Sequence, residues 1–285
     1  MRRSLLIVAI VVAVVVGCDA RAPAVERPPP HNAATSVAMT TGASASVGAS
    51  SSASVATSPP CLDGGPLIAL AVPGFGDAVV SLPVGATGKR PLLLAVHGNY
   101  DRPEWQCAVW RGIVGDRGFV LCPRGVARDD SPSNDDIRFT FGGSDAVARE
   151  LDADRDALRD KYAYFLDESA IVYTGFSLGA ITGVPYLLRD PSNTPRAVLT
   201  EGSHDRWTFA AAKSFAKKGG ERVLFACGQP SCVSMAKSAA KVLSGSKIET
   251  KVVLGAGVGH GYDGKVAEAI AEEFDWLVEG DARWE

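Results

Sequence analysis

The chain has 285 residues, a formal net charge of −3 and 21% charged residues. It contains no basic cluster, so we expect no nucleic-acid partner, because binding to a phosphate backbone requires grouped Lys and Arg side chains. Composition changes near residue 60, and residues 61–285 are long enough to form one α/β domain.

The first 18 residues have the pattern of an export signal. Arg2 and Arg3 precede an unbroken apolar run over residues 5–16. That run is shorter than the roughly 20 residues that cross a bilayer and is typical of a signal-peptide core. Gly17 and Cys18 follow it, and the segment resembles a bacterial lipobox, in which the cysteine is lipidated and becomes the first residue of the mature protein.

The lipobox resemblance implies that residues 1–18 are a lipoprotein signal peptide and that Cys18 is the lipidation site. The protein would then be exported to the bacterial cell envelope and would contact the membrane through its lipid anchor only. An ordinary cleaved signal and an uncleaved anchor are the alternatives.

Residues 19–60 consist mainly of Ala, Ser, Thr, Pro and Val and contain no aromatic residue. Such a segment cannot bury enough apolar surface to offset the entropy of ordering it. We therefore predict a disordered tether between the signal segment and the domain.

Strand-like and helix-like patterns alternate through the domain, which predicts a mostly parallel sheet covered by helices on both faces. Functional residues in such sheets gather at the carboxyl ends of the strands. The predicted strands are 67–72, 78–83, 92–96, 119–122, 170–174, 197–200, 223–226 and 248–254, the first two forming a hairpin. The predicted helices are 103–115, 144–164, 178–189, 207–217, 233–243 and 265–278.

The sequence GFSLG at residues 175–179 lies between a predicted strand and a predicted helix. A serine flanked by glycines at a strand-to-helix turn is typical of a nucleophile elbow, which projects the hydroxyl from the carboxyl edge of the sheet. Ser177 is therefore the predicted nucleophile. A purely structural glycine turn is the alternative.

A serine nucleophile needs an adjacent base that a third group holds in one tautomer. Of the two histidines that follow Ser177, His260 lies in a glycine-rich loop, residues 255–261, directly after the last predicted strand. Such a loop can return the imidazole over the sheet edge. We predict His260 as the base, with His204 as the substitute.

The sequence HGNY at residues 97–100 follows the strand 92–96. It resembles the HG motif that supplies half of an oxyanion hole, which implies backbone N–H donors from Leu178 and from Asn99, or alternatively from Tyr100. His97 itself is interpreted as a structural support for this turn.

The elbow, the HG turn and the late Gly-His loop occur in an order that makes residues 61–285 resemble the α/β-hydrolase fold. The sequence CPRG at residues 122–125 also resembles compact esterases of the dienelactone-hydrolase, carboxylesterase and polyester-depolymerase branches. This resemblance implies a serine hydrolase that cleaves carboxylic esters through an acyl-enzyme, without a cofactor.

Residues 201–221 leave room for one helix and no cap domain. We therefore expect an open site that suits a bulky or polymeric substrate, and the partner we expect is an ester-containing small molecule or polymer. The irregular stretch 124–143 would form a polar rim of that site or a solvated surface loop, and Tyr100 and Phe176 are the best candidates to line an acyl pocket.

The acid of the triad departs from the esterase pattern. Such esterases carry an aspartate in the segment that here reads CGQPSC, residues 227–232, which has no carboxylate. Glu201 and Asp205 both follow the strand 197–200. We favour Glu201 because it stands at the strand end, with Asp205 as the alternative acid. A missing acid, replaced by water or a backbone carbonyl, is the third interpretation.

Cysteines in an exported chain indicate disulfides. Cys227 and Cys232 flank one short loop and form the first predicted pair; Cys107 and Cys122 form a second. The pairing of Cys61 stays open. Because no cysteine pair in the sequence has metal-ligand spacing with a nearby histidine, we expect no metal site.

Two other functions use the same residues differently. A peptidase or an acyltransferase would keep the Ser-His machinery of Ser177 and His260. A non-catalytic lipoprotein would keep the fold as a binding module, and the missing carboxylate in residues 227–232 is the best argument for it.

Overall fold

A computed structural model of the protein describes residues 60–285. The predicted signal segment with Cys18, and residues 19–59 of the predicted tether, lie outside the described residues. No helix within residues 60–285 combines the length and apolar character that a membrane span requires.

Eight of the strands form one sheet in the order β1-β2-β4-β3-β7-β8-β9-β10. Pairing is antiparallel from β1 to β2 and from β2 to β4, and parallel in all other neighbours. The strands are β1 (Ile68–Leu70), β2 (Ala78–Ser81), β3 (Arg90–Val96), β4 (Phe119–Cys122), β7 (Leu166–Phe176), β8 (Arg196–Thr200), β9 (Arg222–Cys227) and β10 (Glu249–Leu254). The leading hairpin and the mostly parallel sheet are confirmed.

Helices cover both faces of this sheet, as the continuous apolar run in β3 predicts. Leu92 and Leu94 point into one core and Leu93 and Ala95 into the other, because successive strand residues face opposite sides. The first core takes residues from α2 (Ser144–Tyr162), α3 (Leu178–Arg189), α4 (Phe209–Lys217) and α5 (Pro230–Ser244), the second from α1 (Pro103–Val114) and α6 (Gly264–Val278).

Two connections shape the carboxyl edge of the sheet. The stretch 124–143 contains a small hairpin, β5 (Val126–Ala127) paired with β6 (Phe139–Thr140). Between β8 and β9 the chain forms one turn of 3₁₀ helix, His204–Arg206, and then α4, so no cap domain is inserted there. The carboxyl edge is left uncovered on that side.

Two disulfides join the pairs that the sequence analysis predicted. Cys107 in α1 is bonded to Cys122 at the end of β4, with Cα atoms 5.9 Å apart. Cys227 at the end of β9 is bonded to Cys232 in α5, with Cα atoms 5.6 Å apart. All four cysteine side chains are fully buried.

Helix α2 turns two acidic side chains toward the interior. Glu150 accepts a hydrogen bond from the Gly125 N–H at 2.7 Å, just after β4. Asp154 is fully buried, and neither of its carboxylate oxygens has a hydrogen-bond partner among the described residues. Burial, with a smaller contribution from Glu150, raises the pKa of Asp154 to about 8, so this side chain is mostly protonated at neutral pH.

Substitution of Asp154 by Asn should change how stability depends on pH. The native pKa lies above its ordinary value of 3.8, so between these pH values the folded protein holds a proton that the unfolded chain releases. The free energy of unfolding therefore falls as pH rises, by up to about 1.4 kcal/mol per pH unit. Asp154→Asn removes this loss.

Urea unfolding at several pH values from 5 to 9 measures the effect. The difference in free energy of unfolding between Asp154→Asn and the unmodified protein should grow in favour of the variant as pH rises through this range. Asp156→Asn, on the exposed side of the same helix, is the matched control. A constant difference between Asp154→Asn and the unmodified protein would contradict the assignment.

Candidate active site

Ser177 stands at a tight turn between β7 and α3. Its φ is +49°, a conformation that costs a non-glycine residue free energy and is typical of functional turns. A Cβ atom on Gly175 would lie 2.5 Å from the backbone of Gly179, and one on Gly179 would lie 2.2 Å from the carbonyl oxygen of Val96. The turn therefore requires both glycines.

His260 lies beside Ser177. Its Nε2 atom is 2.9 Å from Ser177 Oγ. The loop after β10 reaches this position through two glycines with positive φ, Gly257 and Gly259. The imidazole packs against Phe176, with ring centroids 5.1 Å apart.

Glu201 completes a hydrogen-bonded chain from Ser177. Its Oε2 atom lies 3.2 Å from His260 Nδ1, and its side chain is 2% exposed. The carboxylate also accepts from the Gly228 N–H at 2.6 Å through Oε1 and from Gln229 Nε2 at 2.8 Å through Oε2. Three hydrogen bonds thus hold this buried carboxylate, one to Oε1 and two to Oε2.

Asp205, the alternative acid, lies elsewhere. Its side chain is 78% exposed and its nearest cationic group is Arg206, 3.8 Å away. The structure therefore brings Glu201, and not Asp205, to His260.

Sheet pairing explains why Glu201, directly after β8, lies beside His260. Thr200 at the end of β8 pairs with Phe176 of β7 and with Ala226 of β9, so the next residue, Glu201, falls between Ser177 and the loop after β9. Sequence reasoning missed Gly228 and Gln229 as partners of the acid. The signal was present, because a CGQPSC segment without a carboxylate leaves its neutral donors available to an acid from another strand.

Two backbone N–H groups, those of Leu178 and Asn99, make no hydrogen bond to another described residue. Leu178 begins α3, so its N–H has no acceptor within the helix. The N–H of Asn99 makes no hydrogen bond to another described residue. The N–H of Tyr100, the alternative donor, is engaged with the carbonyl oxygen of Phe139 at 3.0 Å, which corrects that prediction.

The HG turn is held from two sides. His97 is fully buried, and its Nε2 and Nδ1 atoms lie 2.9 Å from the carbonyl oxygen of Arg124 and 2.7 Å from that of Gly98; burial lowers the pKa of His97. Asp101 accepts from the Gly98 N–H at 3.3 Å and from the Tyr262 hydroxyl at 3.1 Å. Asp101, which sequence reasoning missed, thus joins the HG turn to the His260 loop.

A cleft of about 470 Å³ opens beside His260. Its aromatic lining consists of Tyr100, Trp105, Phe176 and Tyr262. Residues of the stretch 124–143 border it: Arg138 lies over the Trp105 ring at 4.3 Å from the centroid, and the Tyr100 hydroxyl donates to the carbonyl oxygen of Asp130 at 2.9 Å. Both an apolar wall and a polar rim are therefore present.

His204, the substitute base, packs against the Cys227–Cys232 disulfide. Its Nε2 atom lies 3.6 Å from Cys232 Sγ, and burial lowers its pKa. Although the sequence shows no metal-ligand spacing, His204, Cys227 and Cys232 place their donor atoms within 4.8 Å of one another in space. The two sulfurs are bonded to each other, however, and a metal would need them as thiolates.

Comparison with known proteins identifies the fold. No protein-family model matches the chain, and no curated protein matches it in sequence. A solved structure of TT1662 from Thermus thermophilus is similar, with a TM-score of 0.54 and 17% identity over 75% of this chain and 98% of that one.

Two further solved structures are similar at the same level. An S-formylglutathione hydrolase from Agrobacterium tumefaciens has a TM-score of 0.52 and 14% identity over 71% of this chain and 89% of that one. A candidate dienelactone hydrolase from Klebsiella pneumoniae has a TM-score of 0.53 and 15% identity over 75% of this chain and 98% of that one. The chain has the α/β-hydrolase fold, as predicted.

Gly175→Ala should destabilise the protein, because the new Cβ would collide with the backbone of the turn. We expect the free energy of unfolding to fall by about 1–3 kcal/mol. Gly112→Ala, on the exposed side of α1 with no atom within 4 Å of the added Cβ, is the control and should be neutral or stabilising by up to about 1 kcal/mol. Urea midpoints compare the two, and equal shifts would refute the steric argument.

Proposed function

We propose that the protein is a serine hydrolase that cleaves carboxylic esters, with Ser177 as nucleophile, His260 as base and Glu201 as acid. The observation that carries the proposal is the continuous chain from Ser177 Oγ through His260 to Glu201, with steps of 2.9 and 3.2 Å. A base within hydrogen-bond reach of a nucleophile, itself oriented by a buried carboxylate, is the arrangement that activates serine.

The geometry gives each group a defined part in the reaction. Glu201 accepts from the Nδ1–H of His260, which leaves Nε2 free to take the proton of Ser177 as Oγ attacks the ester carbonyl. His260 then gives that proton to the departing alkoxide, and an acyl-enzyme remains. Water, deprotonated by His260, attacks the acyl-enzyme; the bond to Ser177 Oγ breaks, His260 returns the proton to Oγ, and the carboxylic acid is released.

The backbone N–H groups of Leu178 and Asn99 supply the oxyanion hole in this proposal. Both lack a protein acceptor among the described residues, and the glycine-containing turns fix their positions before substrate arrives. One such donor typically contributes about 2.7–4 kcal/mol of transition-state stabilisation.

Two observations favour an ester hydrolase over a binding module. Glu201 supplies the carboxylate that residues 227–232 lack, so the strongest argument for a non-catalytic protein disappears. Similar structures include an S-formylglutathione hydrolase, whose name denotes cleavage of an activated acyl group. The uncapped cleft also leaves room for a substrate larger than the acyl group that it holds.

Labelling with a fluorophosphonate, together with hydrolysis of p-nitrophenyl acetate, tests the proposed roles. Ser177→Ala should abolish labelling, and Glu201→Gln should lower kcat/KM by about 10³–10⁴-fold, because the imidazole loses its orienting carboxylate. Asp205→Asn is the matched control and should stay within about twofold, since its side chain is exposed. Failure of the unmodified protein to label or turn over would sink the proposal.

We also propose, from the sequence of residues 1–18, that the protein is held at the cell envelope by a lipid on Cys18. In a bacterial host the full chain should partition into the detergent phase of Triton X-114. Cys18→Ala should move it to the aqueous phase, whereas Cys61→Ala should not. Detergent partitioning that survives Cys18→Ala would rule out the lipid anchor at this residue.

A further inference from the structure

The loop between β9 and α5 contacts both the acid and the loop that carries the base. Gly228 N–H and Gln229 Nε2 donate to the two oxygens of Glu201, at 2.6 and 2.8 Å. The N–H of Gly259, next to His260, donates to the carbonyl oxygen of Gly228 at 3.1 Å. Residues 228 and 229 therefore fasten two of the three triad positions to one another.

Little else compensates the charge of Glu201. Its side chain is buried, and among residues 60–285 no Lys or Arg pairs with it. A buried carboxylate without a cation depends on its hydrogen bonds. Gln229 and His260 share the same oxygen, Oε2, so the direction in which Gln229 holds that oxygen determines where His260 finds its acceptor.

The backbone conformation at Glu201 is unfavourable for a residue with a side chain. Its φ is +53°, a strained conformation that surrounding contacts must maintain. Two sets of contacts hold this conformation. The Glu201 N–H donates to the carbonyl oxygen of Ala226 at 3.0 Å, and the loop after β9 donates two hydrogen bonds to the carboxylate. Movement of that loop would release the acid.

The Cys227–Cys232 disulfide closes this loop. Cys227 ends β9 and Cys232 lies in the first turn of α5, five residues later. Both donors to Glu201 stand between them. The bond therefore limits the conformations of the segment that holds the acid.

We propose that Gln229 is a positioning residue for Glu201 and that the Cys227–Cys232 disulfide holds Gln229 and Gly228 in register with the acid. The proposal rests on the proposed function and concerns the same site. Gln229 and the disulfide do not line the cleft. They therefore act on the rate through Glu201 and leave substrate binding unchanged.

The second disulfide provides a matched control. Cys107 and Cys122 are as fully buried as Cys227 and Cys232, but they are 15 residues apart and make no hydrogen bond to Ser177, His260 or Glu201. Because the longer loop loses more entropy on closure, removing this bond should cost more stability. The two disulfides should thus rank in opposite order for stability and for activity.

The first experiment compares two variants of the full chain, Cys227→Ala/Cys232→Ala and Cys107→Ala/Cys122→Ala, by p-nitrophenyl acetate hydrolysis below their unfolding temperatures. The first should lose at least about tenfold in kcat with KM unchanged. The second should keep kcat within about threefold and unfold at lower urea concentration. Equal losses of kcat in the two variants would overturn the role of the disulfide.

The second experiment is a double-mutant cycle with Gln229→Met, which keeps the length of the side chain and removes the donor. Alone it should lower kcat by about tenfold. In the Glu201→Gln background it should cause no further loss, because the residue through which it acts is already changed. A merely structural role would lower kcat equally in both backgrounds and would overturn the proposal.

A third readout does not depend on turnover. The far-downfield proton resonance of His260 Nδ1–H reports its hydrogen bond to Glu201. It should weaken or shift upfield in Gln229→Met and in Cys227→Ala/Cys232→Ala, and persist in Cys107→Ala/Cys122→Ala. An unmodified protein that shows the resonance without hydrolysing ester refutes the proposed function alone, whereas an unchanged resonance in all variants refutes the positioning role.

Discussion

One backbone hydrogen bond fixes Ser177 beside Glu201, the proposed nucleophile beside the proposed acid: the Ser177 N–H donates to the carbonyl oxygen of Thr200 at 2.9 Å. It continues the parallel ladder between β7 and β8 into the two turns that follow. Ser177 and Glu201 both have positive φ, and a Cβ on Gly202 would lie 2.7 Å from the Ser177 carbonyl oxygen. The sheet therefore holds two strained turns in contact, as expected where local strain serves a site.

The position of the acid also accounts for the composition of the neighbouring loop. With Glu201 supplied by β8, a second carboxylate at residue 228 or 229 would place two negative charges together and raise the pKa of one of them. A glycine and a glutamine donate hydrogen bonds instead. Gly228 is further required by close packing, since a Cβ there would lie 2.1 Å from the carbonyl oxygen of Gly259. The absent carboxylate in CGQPSC is thus the counterpart of Glu201.

Patterns within one element made the fold predictable, and contacts between elements limited what could be predicted of the site. The apolar run 92–96 predicts a strand covered on both faces, and in the structure its side chains alternate between the two cores. The hairpin β5–β6 escaped prediction because two-residue strands carry no periodicity. The contacts of Asp101 with Tyr262 and of Gln229 with Glu201 depend on register between distant segments, which one sequence does not reveal.

The loop that carries His260 shows how such distant contacts serve the proposed chemistry. It has glycine at 255, 257, 259 and 261, a composition that by itself loses much entropy on ordering. On one side of the histidine the Gly259 N–H donates a hydrogen bond to the carbonyl oxygen of Gly228, and on the other the Tyr262 hydroxyl donates one to Asp101. The loop after β9 thus holds one side of the histidine and the HG turn holds the other. Ordering His260 therefore orders all three segments together, so that in the proposed mechanism the imidazole is in place before substrate binds.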